Sequence, residues 1–253
     1  MLKIRPTHIE AFEQAALKHF EDKMLEHIKT YFSNHWRVIG ELQLRKVIQY
    51  SVKQANQYDL TTQREVCLYL NLMLLLGSDF DTDIQLPWAK EVLKEKTIID
   101  PSVRIEQLYD VAMDHLDQVA GVKGEYFDRV IVKVRSKLSE WMLLIEPVFE
   151  PDLVSLLNWL YPQKIQLIGK DILHQLIKQS ITSTQVYGIA TQGGMILYVS
   201  LMLILGSRFD KDPKYPWFAT ILNNASLTNE LKVKVFYTEV RNQLDKLFER
   251  GGE

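Results

Sequence analysis

The sequence predicts an all-α protein made of two tandem pseudo-repeats, each a helical unit built around a buried apolar central helix. Three observations predict it. Apolar residues recur at helical spacing along most of the 253 residues, and no stretch alternates convincingly at the period of two that a half-buried strand requires. The segment 68–88, LYLNLMLLLGSDFDTDIQLPW, returns ungapped at 197–217 as LYVSLMLILGSRFDKDPKYPW, an offset of 129. Each copy opens on a run that is apolar nearly all the way round, which marks a helix buried on most sides. The register extends backwards through Tyr58/Tyr187, Thr62-Gln63/Thr191-Gln192, Leu44/Leu173 and Gly40/Gly169 to Phe20-Glu21/Phe149-Glu150. After a one-residue slip, LYDVAMDHLDQV at 108–119 matches FYTEVRNQLDKL at 236–247. The pattern is one unit of roughly 120 residues written twice: residues 1–120, a short junction at 120–124, and residues 125–253.

Taken in order, Pro6-Thr7 opens a helix with Thr7 as N-cap and Glu10 three positions on, as in a capping box. Ile9, Phe12, Ala16, Phe20, Met24 and Ile28 carry it to about Tyr31. A break at Ser33-Asn34 precedes a second helix over about 40–57, with Leu42, Val47, Ile48, Val52 and Ala55 apolar. A turn at Tyr58-Asp59-Leu60-Thr61 leads to the central helix, capped by Thr61 or Thr62 with Glu65 in its first turn. Gly77 is placed to stop that helix in the left-handed C′ conformation, and Phe80 to fold back onto its last turn. Pro87-Trp88 starts a short helix to about 95, and Asp100-Pro101-Ser102 a longer one to about 119.

The run Ala120-Gly121-Val122-Lys123-Gly124 is the boundary signal between the units. A long helix is then expected over 126–144, interrupted before Pro147, and Pro151-Asp152 opens the counterpart of the first helix. Further helices are expected over about 171–182, 192–205, 216–223 and 229–249.

Composition narrows the function classes. Hydrophobic residues at 47% and charged residues at 25% describe a globular chain. A net charge of -2 and a pI near 6.3 leave no global basic field to hold nucleic acid phosphates or anionic lipid. The single cysteine, Cys67, rules out an internal disulfide framework and a multi-cysteine zinc site. The N-terminus lacks the apolar core of a secretory signal, and the apolar runs 66–76 and 195–205 fall short of the ~20 residues of a membrane-spanning helix. A cytoplasmic protein without a cofactor is expected.

Asp79, Asp81 and Asp83 invite a calcium reading, but an EF-hand loop needs Gly in its sixth position and Glu in its twelfth. Ile84 and Lys90 stand there, and the second copy begins with Arg208, so no metal site is assigned. The alternative is structural: Asp81/Asp210 and Asp83/Asp212 bond to nearby backbone N–H groups and fix the loop. Gly77/Gly206, Phe80/Phe209, Pro87/Pro216 and Trp88/Trp217 complete that motif, the tryptophans filling space beside the central helix. The six histidines form no H-E-x-x-H pair, and no nucleophile elbow, Walker loop or dinucleotide fingerprint occurs. No catalytic residue is assigned, and the chain is read as a non-enzyme.

Charge is informative where the copies differ. Glu106, Asp110, Asp114 and Asp117 form an acidic stripe, and the matching residues of the second copy are Lys234, Thr238, Asn242 and Asp245. The fold therefore does not require the stripe. One reading is a partner-binding surface for a basic protein, such as a nucleic-acid-cleaving toxin. The other is a hairpin turning at Gly121, in which Asp114 faces Arg129, Asp110 faces Lys133 and Glu106 faces Lys137, each exposed pair contributing about 0.2–1 kcal/mol.

The run YDLTTQREVCLYLNLMLLLGSDFDTD with PWA, within residues 58–89, resembles a motif of uncharacterised bacterial proteins encoded near type VI secretion effectors and other polymorphic toxins. The resemblance covers 58–89 and 187–218 and is closer in the first copy. In the second, Gly193-Gly194 replaces Arg64-Glu65 and Phe218 replaces Ala89. It implies a secretion-associated accessory protein whose partner is a cognate toxin or effector, and it transfers no catalytic residue. The function expected is a cytoplasmic immunity protein that neutralises its toxin. The alternatives are an adaptor that loads an effector, or an enzyme acting near Cys67 or the Asp81/Asp83 loop.

Overall fold

The computed structural model describes residues 6–146 and 150–248, and among these the backbone forms twelve α-helices, two single 3-10 turns and no strand. The first helices are α1 (Pro6–Tyr31), α2 (Ser33–Ile39) and α3 (Glu41–Asn56). Ser33-Asn34 is therefore no break: it begins a two-turn helix that the short gap at Phe32 separates from α1. Gly40, at φ 78° and ψ 155°, ends α2 and starts α3, a conformation open to glycine alone. The side chains of Thr7, Ile9 and Glu10 lie outside the described residues. Leu42, expected on the apolar face of α3, is 76% exposed, while Leu44, Val47 and Ile48 are fully buried.

The central helix α4 (Gln63–Leu76) begins with a complete capping box on Thr62, not Thr61. Glu65 N donates to Thr62 Oγ1, and Glu65 Oε2 accepts from Thr61 N and Thr62 N at 2.8 Å each. A 3-10 turn at Phe80–Thr82 follows, then α5 (Pro87–Leu93) and α6 (Pro101–Ala120). Asp100 caps α6 by accepting Ser102 N at 2.9 Å. After Gly121 and Gly124 the chain enters α7 (Glu125–Trp141) and α8 (Glu150–Leu160).

The helix α9 (Pro162–Tyr187) starts nine residues before the expected 171. Gly169 kinks it at φ 77°, ψ 172°, which interrupts the apolar periodicity there. Last come α10 (Gln192–Leu205), a 3-10 turn at Phe209–Lys211, α11 (Pro216–Leu222) and α12 (Asn229–Phe248).

Two apolar clusters result. One gathers residues of α1, α3, α5 and α6 around α4, where Tyr69, Leu70, Leu72 and Met73 are fully buried. The other surrounds α10, which is buried from Gly193 to Leu203, and takes in α7, α8, α9, α11 and α12. Val119, in the last turn of α6, already belongs to this second cluster. The clusters interlock, for α6 packs on α9 and α2 packs on α12. Truncating a fully buried leucine such as Leu72 in so closed a core costs about 2–5 kcal/mol. No helix among the described residues is long and apolar enough to cross a membrane.

Candidate functional site

The repeated segments meet where α4 and α10 end. Each helix stops at a glycine of positive φ, Gly77 at 110° and Gly206 at 112°, with ψ near 150° rather than in the left-handed helical region. A Cβ on Gly77 would stand 2.8 Å from the Leu205 carbonyl oxygen, so only glycine lets the helix ends approach. The first aspartate of each motif serves its own half: Tyr58 donates to Asp81 and Tyr187 to Asp210, both at 2.6 Å. These partners are phenols, not the backbone N–H groups expected of them.

The second aspartate of each motif crosses to the other half. Ser207 N donates to Asp83 at 2.8 Å, while Ser78 N and Oγ donate to Asp212 at 3.0 and 2.6 Å. Each also fixes its own loop, Asp83 through Gln85 N and Asp212 through Lys214 N.

The carbonyls at the two helix ends, which carry the negative end of the helix dipole, are met by side-chain donors, of which Gln85, Lys164 and Lys214 are buried and His35 partly so. Gln85 Nε2 gives to Met202 O at 2.9 Å and Lys214 Nζ to Met73 O at 2.8 Å, again across the halves. Within the halves, Lys164 Nζ gives to Leu203 O at 2.6 Å, and His35 Nε2 lies 3.1 Å from Leu74 O. Burial pulls the Lys164 ammonium down to about 8 despite the nearby Asp83. Burial, with Lys214 beside it, holds His35 down at about 4, hence neutral and donating. The space left between the two loops of this polar clasp is only about 10 Å³.

The motif's other members follow the expectation in part. Phe80 and Phe209 are buried and pack on Tyr69 and Tyr198 at 5.0 Å. Pro87 and Pro216 each open a short helix. Trp88 and Trp217 are partly buried and pack against the two apolar clusters, beside their neighbours Ala89 and Phe218, at 0% and 1% exposure. Each tryptophan also walls a cavity. Trp217 lies with Phe127, Tyr215 and Leu205 around an apolar cavity of about 240 Å³ between α2, α7, α10, α11 and α12. Trp88 lies in one of about 300 Å³ between α5, α6 and α9, together with His115, Asp114, Leu167 and Ile168. His115 is 7% exposed, packs at 5.4 Å on Trp88, and finds no hydrogen-bond partner among the described residues. His115 lines that cavity. Burial, with Lys164 nearby, lowers it to about 4 and keeps it neutral.

The acidic stripe does not pair across a hairpin. Glu106 bonds to Arg64 of α4 at 2.8 Å, not to Lys137, which bonds to Glu140 of its own helix. Lys133 gives its ammonium to the Trp159 and Leu160 carbonyls, and Arg129 lies over the Tyr126 ring. The basic residues of α7 thus cap α8 and cover their own surface rather than facing α6. Asp110, Asp114 and Asp117 stand exposed on α6, and among the described residues none of the three carboxylates has an ion-pair partner. Asp114 sits at the cavity beside Trp88.

Other candidate groups are scattered. His27 bonds to Asn71 and His174 lies 3.5 Å from Glu150. Cys67 is half-buried, and burial pushes its thiol up, away from the nucleophilic thiolate. Among the described residues no group of three His, Cys, Asp or Glu side chains could hold a metal ion. Comparison with known protein families, curated proteins and solved structures finds no match to the chain.

Proposed function

We propose that the chain is a non-enzymatic binding protein of the cytoplasm that recognises a basic protein partner through α6, and that the partner is a secreted toxin which it neutralises as an immunity protein. The observation that carries this reading is the exposed face of Asp110, Asp114 and Asp117, left without cations because α7 spends its basic residues elsewhere. An uncompensated row of carboxylates on an otherwise near-neutral protein steers an oppositely charged partner and raises its association rate. The polar centre supports a structural role for the repeated motif, since its groups are consumed in holding the halves together. We further propose that the chain is one helical unit duplicated and packed about a pseudo-twofold axis. The reciprocal bonds of Asp83 and Asp212, and of Gln85 and Lys214, support that reading.

Co-expression with the product of the adjacent gene tests the function, with growth and co-purification scored together. Rescue of growth with a stoichiometric complex is the expected result. A complex with toxicity intact would move the assignment to a loading adaptor, and neither rescue nor complex would overturn it.

A further inference from the structure

Resting on the reading of α6 as the partner surface, we propose that the cavity beside Trp88 is the anchor pocket of that surface and receives an arginine side chain of the protein partner. The acidic face alone would not identify a ligand. The independent observation is His115, 93% buried, lining a space of about 300 Å³ with no hydrogen-bond partner among the described residues. A ring nitrogen that opens on the cavity is left to water, which an incoming donor would replace.

The surroundings select the donor. Asp114 at the cavity supplies a carboxylate with no cation of its own, and the neutral imidazole of His115 supplies an acceptor nitrogen. Trp88 offers an aromatic face, which holds a guanidinium by cation–π attraction and stacking. Val111, Leu167 and Ile168 form an apolar wall for the three-carbon stem. Lys164, whose charge reaches His115, has its ammonium on the Leu203 carbonyl. The guanidinium is therefore held at the rim, between Asp114 and Trp88, with one N–H given to His115. An anchor of this kind, surrounded by the further carboxylates Asp110 and Asp117, has the layout of a binding hot spot.

The test uses the intact protein and needs no knowledge of the partner. N-acetyl-arginine amide is titrated while the Trp88 indole and His115 imidazole proton resonances are followed by NMR, with N-acetyl-tyrosine amide as the comparison probe. The arginine probe should give saturable shifts of both rings, weakened at least about tenfold by Asp114→Asn and abolished by Leu167→Trp, which closes the mouth from an exposed position. Absence of saturable shifts, indifference to Asp114→Asn, or stronger binding of the tyrosine probe would overturn the proposal. If the partner complex forms while the probe fails, only the pocket is refuted. If the probe binds and no complex forms with the adjacent gene's product, the pocket stands and the assigned partner falls.

Discussion

Asp83 and Asp212 differ in what their removal would expose. Asp212 is the carboxylate nearest the buried Lys214 ammonium, at 3.6 Å, and takes both donors of Ser78. Asp212→Asn strands a buried cation, and we expect urea unfolding to show a loss of about 3–5 kcal/mol. Asp83→Asn, whose bonds are to Ser207 N and Gln85 N, should cost about 1–3 kcal/mol. His35 and His115 titrate near 4 in the fold against 6.5 unfolded, so between those values the unfolded chain binds more protons. Their stability contribution is complete above about pH 6.5 and is lost as pH falls through 4, up to about 3 kcal/mol each. His115→Gln should therefore lose about 2 kcal/mol less than wild type between pH 7 and 4.5 in denaturant titrations. The residues of the clasp were legible in the sequence because they recur. Their partners were not, since a carboxylate bonded to an amide more than 120 positions away leaves no periodic trace. Nothing local distinguishes Asp81, which stays within its half, from Asp83, which leaves it.

Among the helices, the N-terminus of α10 explains a difference between the copies. In α4, Glu65 closes the capping box and bonds Ser102 of α6. In α10 Thr191 Oγ1 still accepts Gly194 N at 3.2 Å, and the first two helical amides are met by the chain leaving α7: Gln192 N donates to Glu146 O and Gly193 N to Leu144 O, both at 2.9 Å. A Cβ on Gly193 would overlap the Trp141 carbonyl, so Gly193-Gly194 marks where the connecting chain crosses the helix start. Gly193→Ala should displace residues 142–146 and cost about 1–3 kcal/mol. Hydrogen exchange should show the Gln192 and residue-193 amides losing protection while the amides of α4 keep theirs. Long helices with continuous periodicity, α3, α4, α6 and α10, were legible to within a residue or two. The short α2 was not, because it lacks the Pro-Trp start that marked the equally short α5 and α11; the first turns of α9 were not, because the Gly169 kink hides them.

For the whole molecule, the charge pattern of α6 was legible and its pairing was not. Sequence spacing placed Asp110 and Asp114 opposite Lys133 and Arg129 only if the two helices met along those faces. In the fold α6 lays its flank on α9 while Lys133 reaches α8, so the stripe is left to solvent. In the proposed function these carboxylates serve a partner and not the fold. The most direct test is Asp110→Asn/Asp114→Asn, measured for affinity to the adjacent gene's product across a salt series and for melting temperature in parallel. The claim predicts binding weakened at least about tenfold with a flatter salt dependence, and a melting temperature within about 2 °C of wild type. Unchanged affinity together with a lowered melting temperature would contradict it.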